Sequence, residues 1–86
     1  PMKLTHLSPI QLASFLTNKT VRYKNTKNKS SVKEDLLRTF KINSVERVGN
    51  HAQTNEQFIT ADVSDVDDGG EKKFRNLYTD AIDVIV

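Results

Sequence analysis

The chain has 86 residues, no cysteine, no tryptophan and a formal net charge of +2. That length predicts a single domain (1–86) with one modest core, and the lack of cysteine excludes disulfides and thiolate metal sites. No apolar run approaches the ~18 residues of a membrane span, and the first residues, PMKLTHLSPIQL, hold too short an apolar stretch for a secretory signal, so composition points to a cytoplasmic protein without a membrane partner.

The charge is unevenly spread. Residues 1–50 hold ten Lys/Arg against three acids, and residues 51–86 hold three Lys/Arg against eight. Such asymmetry marks either a basic face for nucleic acid or two halves that neutralise each other on folding. Pro1 ahead of Met2 reads as an added residue, with Met2 the natural start.

In chain order, Ser8-Pro9-Ile10-Gln11 is a helix start: Ser8 caps, Pro9 suits the first helical position and Gln11 lies three after the cap. With Leu12, Ala13, Phe15 and Leu16 following, it predicts a helix over 8–17, too short to stand alone. Residues 20–24 alternate, with Val21 and Tyr23 inward and Thr20, Arg22 and Lys24 outward, as a half-buried strand does. Residues 25–31, NTKNKSS, read as a loop. Ser31 and Glu34 form a second capping box, and Val32, Leu36 and Phe40 recur at helical spacing, which predicts a helix over 32–40. A strand is expected at 44–48. Val45 and Val48 do not alternate with Ile42, so either a bulge interrupts a longer strand or only 44–48 is strand.

Residues 57–66 alternate clearly, with Ile59, Ala61 and Val63 on one face and Thr60, Asp62 and Ser64 on the other. Asp67-Asp68-Gly69-Gly70 signals a hairpin. The chain is then expected to return over 71–77 with Phe74 inward and Lys73 and Arg75 outward. One tight turn at 78–81 leads to an apolar strand over 82–86, either buried on both faces or paired deep in a closed sheet. The expected fold is α+β: two short helices with an antiparallel sheet of about five strands. Its core is Leu12, Phe15, Leu16, Val21, Tyr23, Leu36, Leu37, Phe40, Val45, Ile59, Ala61, Val63, Phe74, Ile82, Val84 and Ile85.

A hairpin followed by Lys73-Phe74-Arg75-Asn76-Leu77-Tyr78, one tight turn and Ile82-Asp83-Val84-Ile85-Val86 resembles the end of an SH3-like small β-barrel. The rhythm Phe-Arg…Asp-x-Ile is similar to the small barrel of WYL domains in bacterial and phage regulators. The resemblance covers about 30 residues plus 20–24. It implies a sheet curled into an SH3-like barrel and a tendency to bind macromolecules, and it carries over no functional residue.

The basic set Arg22, Lys24, Lys27, Lys29, Lys33, Arg38 and Lys41 falls on one strand, its loop and the next helix, where it either neutralises phosphates or meets a partner, or is simply a solvated lysine-rich surface. Tyr23, the one aromatic near it, points inward by alternation, so nothing among these cations offers a base a stacking surface. The acidic turn, Asp62 to Glu71, fails the calcium-loop pattern, since Asp65-Val66-Asp67-Asp68-Gly69-Gly70 lacks the third carboxylate at the right place and the glutamate at the twelfth position, and its Asp and Gly residues are those a hairpin needs. His6 and His51 have no ligand spacing, and no phosphate-binding glycine loop is present. No catalytic residue, metal, cofactor or small-molecule substrate is therefore expected. The sequence points to a non-catalytic binding module acting on nucleic acid or a nucleic-acid-processing complex. The alternative is a small inhibitor or adaptor of the phage or mobile-element type that binds a host protein.

Overall fold

The computed structural model describes residues 4–24 and 37–85. Among them, a 3₁₀ turn at Leu4–His6 precedes helix α1 (Pro9–Leu16), and five strands follow: β1 (Thr20–Lys24), β2 (Leu37–Asn50), β3 (Gln57–Asp65), β4 (Glu71–Tyr78) and β5 (Ile82–Val84). Further 3₁₀ turns, Val66–Asp68 and Thr79–Ala81, connect β3 to β4 and β4 to β5. All pairings are antiparallel, in the order β4-β3-β2-β1-β5.

The capping box at Ser8 is formed in both directions. The Gln11 N–H donates to Ser8 Oγ at 3.3 Å, and the Ser8 N–H donates to Gln11 Oε1 at 3.0 Å. The helix ends where Asn18 adopts a left-handed φ of 68°, a conformation Asn tolerates better than most residues. The freed Asn18 N–H donates to Ile42 O at 2.7 Å, which ties the helix exit to β2. Leu12 and Leu16 are fully buried against the sheet's inner face, with Val21, Tyr23, Phe40, Ile42, Ile59, Ala61, Val63 and Leu77. Each large side chain buried there contributes roughly 1.5–3 kcal/mol.

Two expectations about fold are corrected. Leu37–Phe40 are strand, not the end of a helix over 32–40; residues 32–36 of that span lie outside the described residues. The helical spacing of apolar residues is overridden because Arg38, Phe40 and Ile42 alternate toward the inner face and β1 supplies hydrogen-bond partners along Leu37–Lys41. The sheet is also not closed into a barrel, since β4 and β5 end it without pairing to each other. It curls enough for the Tyr78 N–H on β4 to donate to Tyr23 Oη on β1 at 2.9 Å. On the inner face of β4 only Leu77 is buried, with Lys73 half-buried and Arg75 exposed.

The strand expected at 44–48 is part of the 14-residue β2. Register shifts between Ile42 and Ser44 and between Val45 and Arg47 each insert one residue, so Ile42, Val45 and Val48 share the inner face at a spacing of three. The last strand is not buried on both faces: Ile82 and Val84 are half-buried, Asp83 is exposed and Ile85 is 49% exposed. Leu37 is exposed as well.

Candidate nucleic-acid interface

The side of the sheet opposite α1 is uncovered among the described residues. Register decides what stands on it. Asp65 pairs with Glu71, leaving five residues, 66–70, between them. An odd loop pairs odd positions with odd ones. Ile59, Ala61, Val63 and Asp65 point inward, so Leu77, Arg75, Lys73 and Glu71 do too. Lys72, Phe74, Asn76 and Tyr78 are left on the outer side. Phe74, expected in the core, is therefore 66% exposed.

Rows of paired residues run across this outer face. Thr20, Lys41, Ser64 and Lys72 form one row; Ser44, Asp62 and Phe74 form the next. Arg47, Thr60 and Asn76 follow, then Gly49, Phe58 and Tyr78. At the β1 end, Arg22 lies between Thr39 and Asp83, with Lys24 beyond it. Arg22, Lys24, Lys41, Arg47 and Lys72 are all exposed, and these five cations outnumber the carboxylates Asp62 and Asp83 in the same rows.

Polar and aromatic contacts hold the face in shape. Thr60 Oγ1 donates to Asn76 Oδ1 at 2.7 Å, and Asn43 Nδ2 donates to Ser64 Oγ at 3.0 Å. The Phe58 and Tyr78 rings meet edge-on with centroids 6.5 Å apart, and the Arg47 guanidinium lies 5.5 Å from the Phe58 centroid. A Cβ on Gly49 would meet the Arg47 guanidinium at 3.3 Å and the Phe58 ring at 3.4 Å, so this glycine seats that pair. Among the described residues, no ring or cation is stacked on Phe74.

Of the basic set singled out in the sequence, Arg22, Lys24 and Lys41 share this face. Arg38 does not; it pairs with Tyr23 and points to the inner side, where its Nη1 lies 3.9 Å from Asp65 Oδ2. Lys27, Lys29 and Lys33 lie outside the described residues. Sequence reasoning missed Phe74, Lys72 and Arg47. Their signal was the parity of the hairpin loop and the two bulges of β2, which alternation alone does not reveal.

The acidic turn is a structural corner. Asp65 is fully buried, and its Oδ1 accepts the Asp67 N–H at 3.1 Å, capping the 3₁₀ turn. Asp67 Oδ2 accepts the Thr39 N–H at 2.8 Å. Lys73 Nζ lies 3.4 Å from Asp65, 3.5 Å from Asp68 and 3.9 Å from Glu71. The hydrogen bond with Glu71, then the Lys73 charge, hold the Asp68 carboxyl below its ordinary value of 3.8. His51 Nδ1 accepts the Gln53 and Thr54 N–H groups at 3.2 and 3.4 Å, which gives it a place in a turn. Among the described residues, no group of three or more His, Asp or Glu is placed to hold a metal, and no helix is long and apolar enough to cross a membrane. A scan against protein-family models finds no match to the chain, and searches of curated proteins and of solved structures find none either.

Proposed function

We propose that the protein is a non-catalytic binding module that engages nucleic acid, alone or within a nucleic-acid-processing complex, through the outer face of its sheet. The observation that carries this reading is the outer face of the sheet, uncovered among the described residues, on which Arg22, Lys24, Lys41, Arg47 and Lys72 are all exposed. Cations fixed on a rigid sheet meet phosphates with little ordering cost and release the counterions condensed on the nucleic acid. The alternative, an adaptor that binds a host protein, has an obvious route in strand addition at an edge of the sheet. Both edges are poor templates for it. β4 carries Lys72, Lys73 and Arg75 along its length, and β5 is three residues long; charged and very short edge strands discourage pairing with another chain.

The test is fluorescence anisotropy with labelled oligonucleotides of random sequence. The double reversal Lys41→Glu, Lys72→Glu should lower affinity on the order of tenfold or more at low salt, with an unchanged circular dichroism spectrum, because both side chains are exposed. Equal binding by the wild type and the double variant would overturn the reading. Capture of one protein in a complex that survives nuclease would favour the adaptor.

A further inference from the structure

We infer that the outer face selects unpaired nucleotides, with Phe74 as the open platform on which a base stacks. The inference rests on the nucleic-acid reading above and deepens it to a substrate class: single-stranded rather than duplex nucleic acid.

Three features converge on that choice. Phe74 stands in the middle of β4 on the outer face, 66% exposed, with no other ring or cation against it among the described residues. Its neighbours two residues along the strand are a cation, Lys72, and an amide, Asn76, held by Thr60. These sit about 7 Å to either side of it. A base laid on the ring would thus have a positive charge on one side for its phosphate and a hydrogen-bonding group on the other for its edge. Second, the other outer aromatics are already engaged. Phe58 carries the Arg47 guanidinium and the edge of Tyr78, which leaves Arg47 itself as a second planar cation for a neighbouring base or phosphate. Third, the arrangement wastes apolar area unless something covers it. An isolated exposed Phe is ordinary on a surface, but this one shares its face with Lys72 on the same strand and with Lys41 and Arg47 two strands away on β2. These three cations outnumber Asp62, the carboxylate directly across from it, which opposes a basic partner and favours an anionic, aromatic one.

A duplex cannot use this platform, because its bases are stacked on one another and present only their edges and backbone. Duplex binding would draw on the cations alone.

The experiment compares a labelled 15-nucleotide oligo(dT), an oligo(U) of the same length and a 15-base-pair duplex in anisotropy titrations against wild type and Phe74→Ala. The wild type should prefer the single strands. Phe74→Ala should weaken oligo(dT) and oligo(U) binding roughly 5- to 150-fold, the range for losing one base–aromatic stack, and leave duplex binding within about twofold. The side chain is largely in solvent, so the variant should fold, and a thermal melt checks that it does. A direct readout is available because the chain has no tryptophan. In Phe74→Trp, the indole fluorescence should be quenched as oligo(dT) binds, with the same midpoint as the anisotropy. An unchanged single-strand affinity in Phe74→Ala, an equal loss for single strand and duplex, or no quenching in Phe74→Trp would overturn the inference while leaving the broader nucleic-acid reading standing. No binding to any of the three probes would overturn both.

Discussion

Asp65 is the residue on which the corner between β3 and β4 depends. One carboxylate oxygen is used by the turn, while the other is buried without a hydrogen-bond partner among the described residues and is balanced by charge alone. Lys73 at 3.4 Å is the nearer of its two cations and Arg38 at 3.9 Å the other. Removing the nearer one leaves a buried charge half-compensated, and such losses are costly even where the intact pair contributes little. Lys73→Met should therefore destabilise the fold by about 2 kcal/mol, since Arg38 remains and Lys73 is itself partly in water; urea unfolding at neutral pH measures this. The same variant should alter the acid limb. Asp68 has a folded-state pKa held below 3.8, so its contribution is present above that value and is lost as pH falls through the folded one. With the Lys73 charge gone, the Asp68 value should rise toward normal, and the loss of stability contributed by Asp68 below about pH 4 should shrink. An acid limb identical to that of the wild type would contradict this account.

The elements differ in how plainly their residues announce them. Helix α1 is legible because Ser8 and Gln11 satisfy each other's backbone N–H groups, a local event that needs no tertiary partner. β1 and β3 are legible because Val21 and Tyr23, and Ile59, Ala61 and Val63, keep a strict period of two. β2 is not, because its bulges place Ile42, Val45 and Val48 on one face at a period of three, which mimics a helix or a break. β4 is not, because one face of Glu71-Lys72-Lys73-Phe74-Arg75-Asn76-Leu77-Tyr78 carries Leu77 among charges while the other carries Phe74 and Tyr78 beside Lys72 and Asn76, so composition favours the wrong face. Only the length of the preceding loop chooses between them. The candidate site inherits the same division: Arg22 and Lys24 follow from alternation, whereas Phe74 follows from loop parity. That loop depends on Gly69, whose φ is +68° and whose surroundings are open. Gly69→Ala should cost about 1 kcal/mol from backbone strain alone, seen as a shift of the urea midpoint with no change in its slope.

At the scale of the whole molecule, the charge imbalance between the two halves of the chain is resolved differently on the two sides of the sheet. On the inner side the two halves meet at one carboxylate: Arg38, from the basic half, lies 3.9 Å from Asp65, from the acidic half, and Lys73 lies 3.4 Å from the same group. On the outer side, among the described cations, only Arg22 has a carboxylate directly across from it, Asp83, while Lys41, Arg47 and Lys72 outnumber Asp62, which stands across from Phe74. Stability and binding should therefore respond differently to salt. The fold rests mainly on buried apolar contacts and a few partly exposed ion pairs, which screening weakens only slightly, so its urea midpoint should move little between 50 and 200 mM salt. Binding, by contrast, depends on counterion release. If about three phosphates are neutralised on a single strand, the logarithm of affinity should fall with the logarithm of salt at a slope near −2, a loss of roughly 20-fold over that interval. Lys41→Glu with Lys72→Glu should flatten that slope while leaving the urea midpoint near that of the wild type. Phe74→Ala should lower affinity at every salt concentration and leave the slope unchanged, because stacking releases no counterions. Parallel salt dependences of stability and binding would mean that the outer cations serve the fold rather than a ligand.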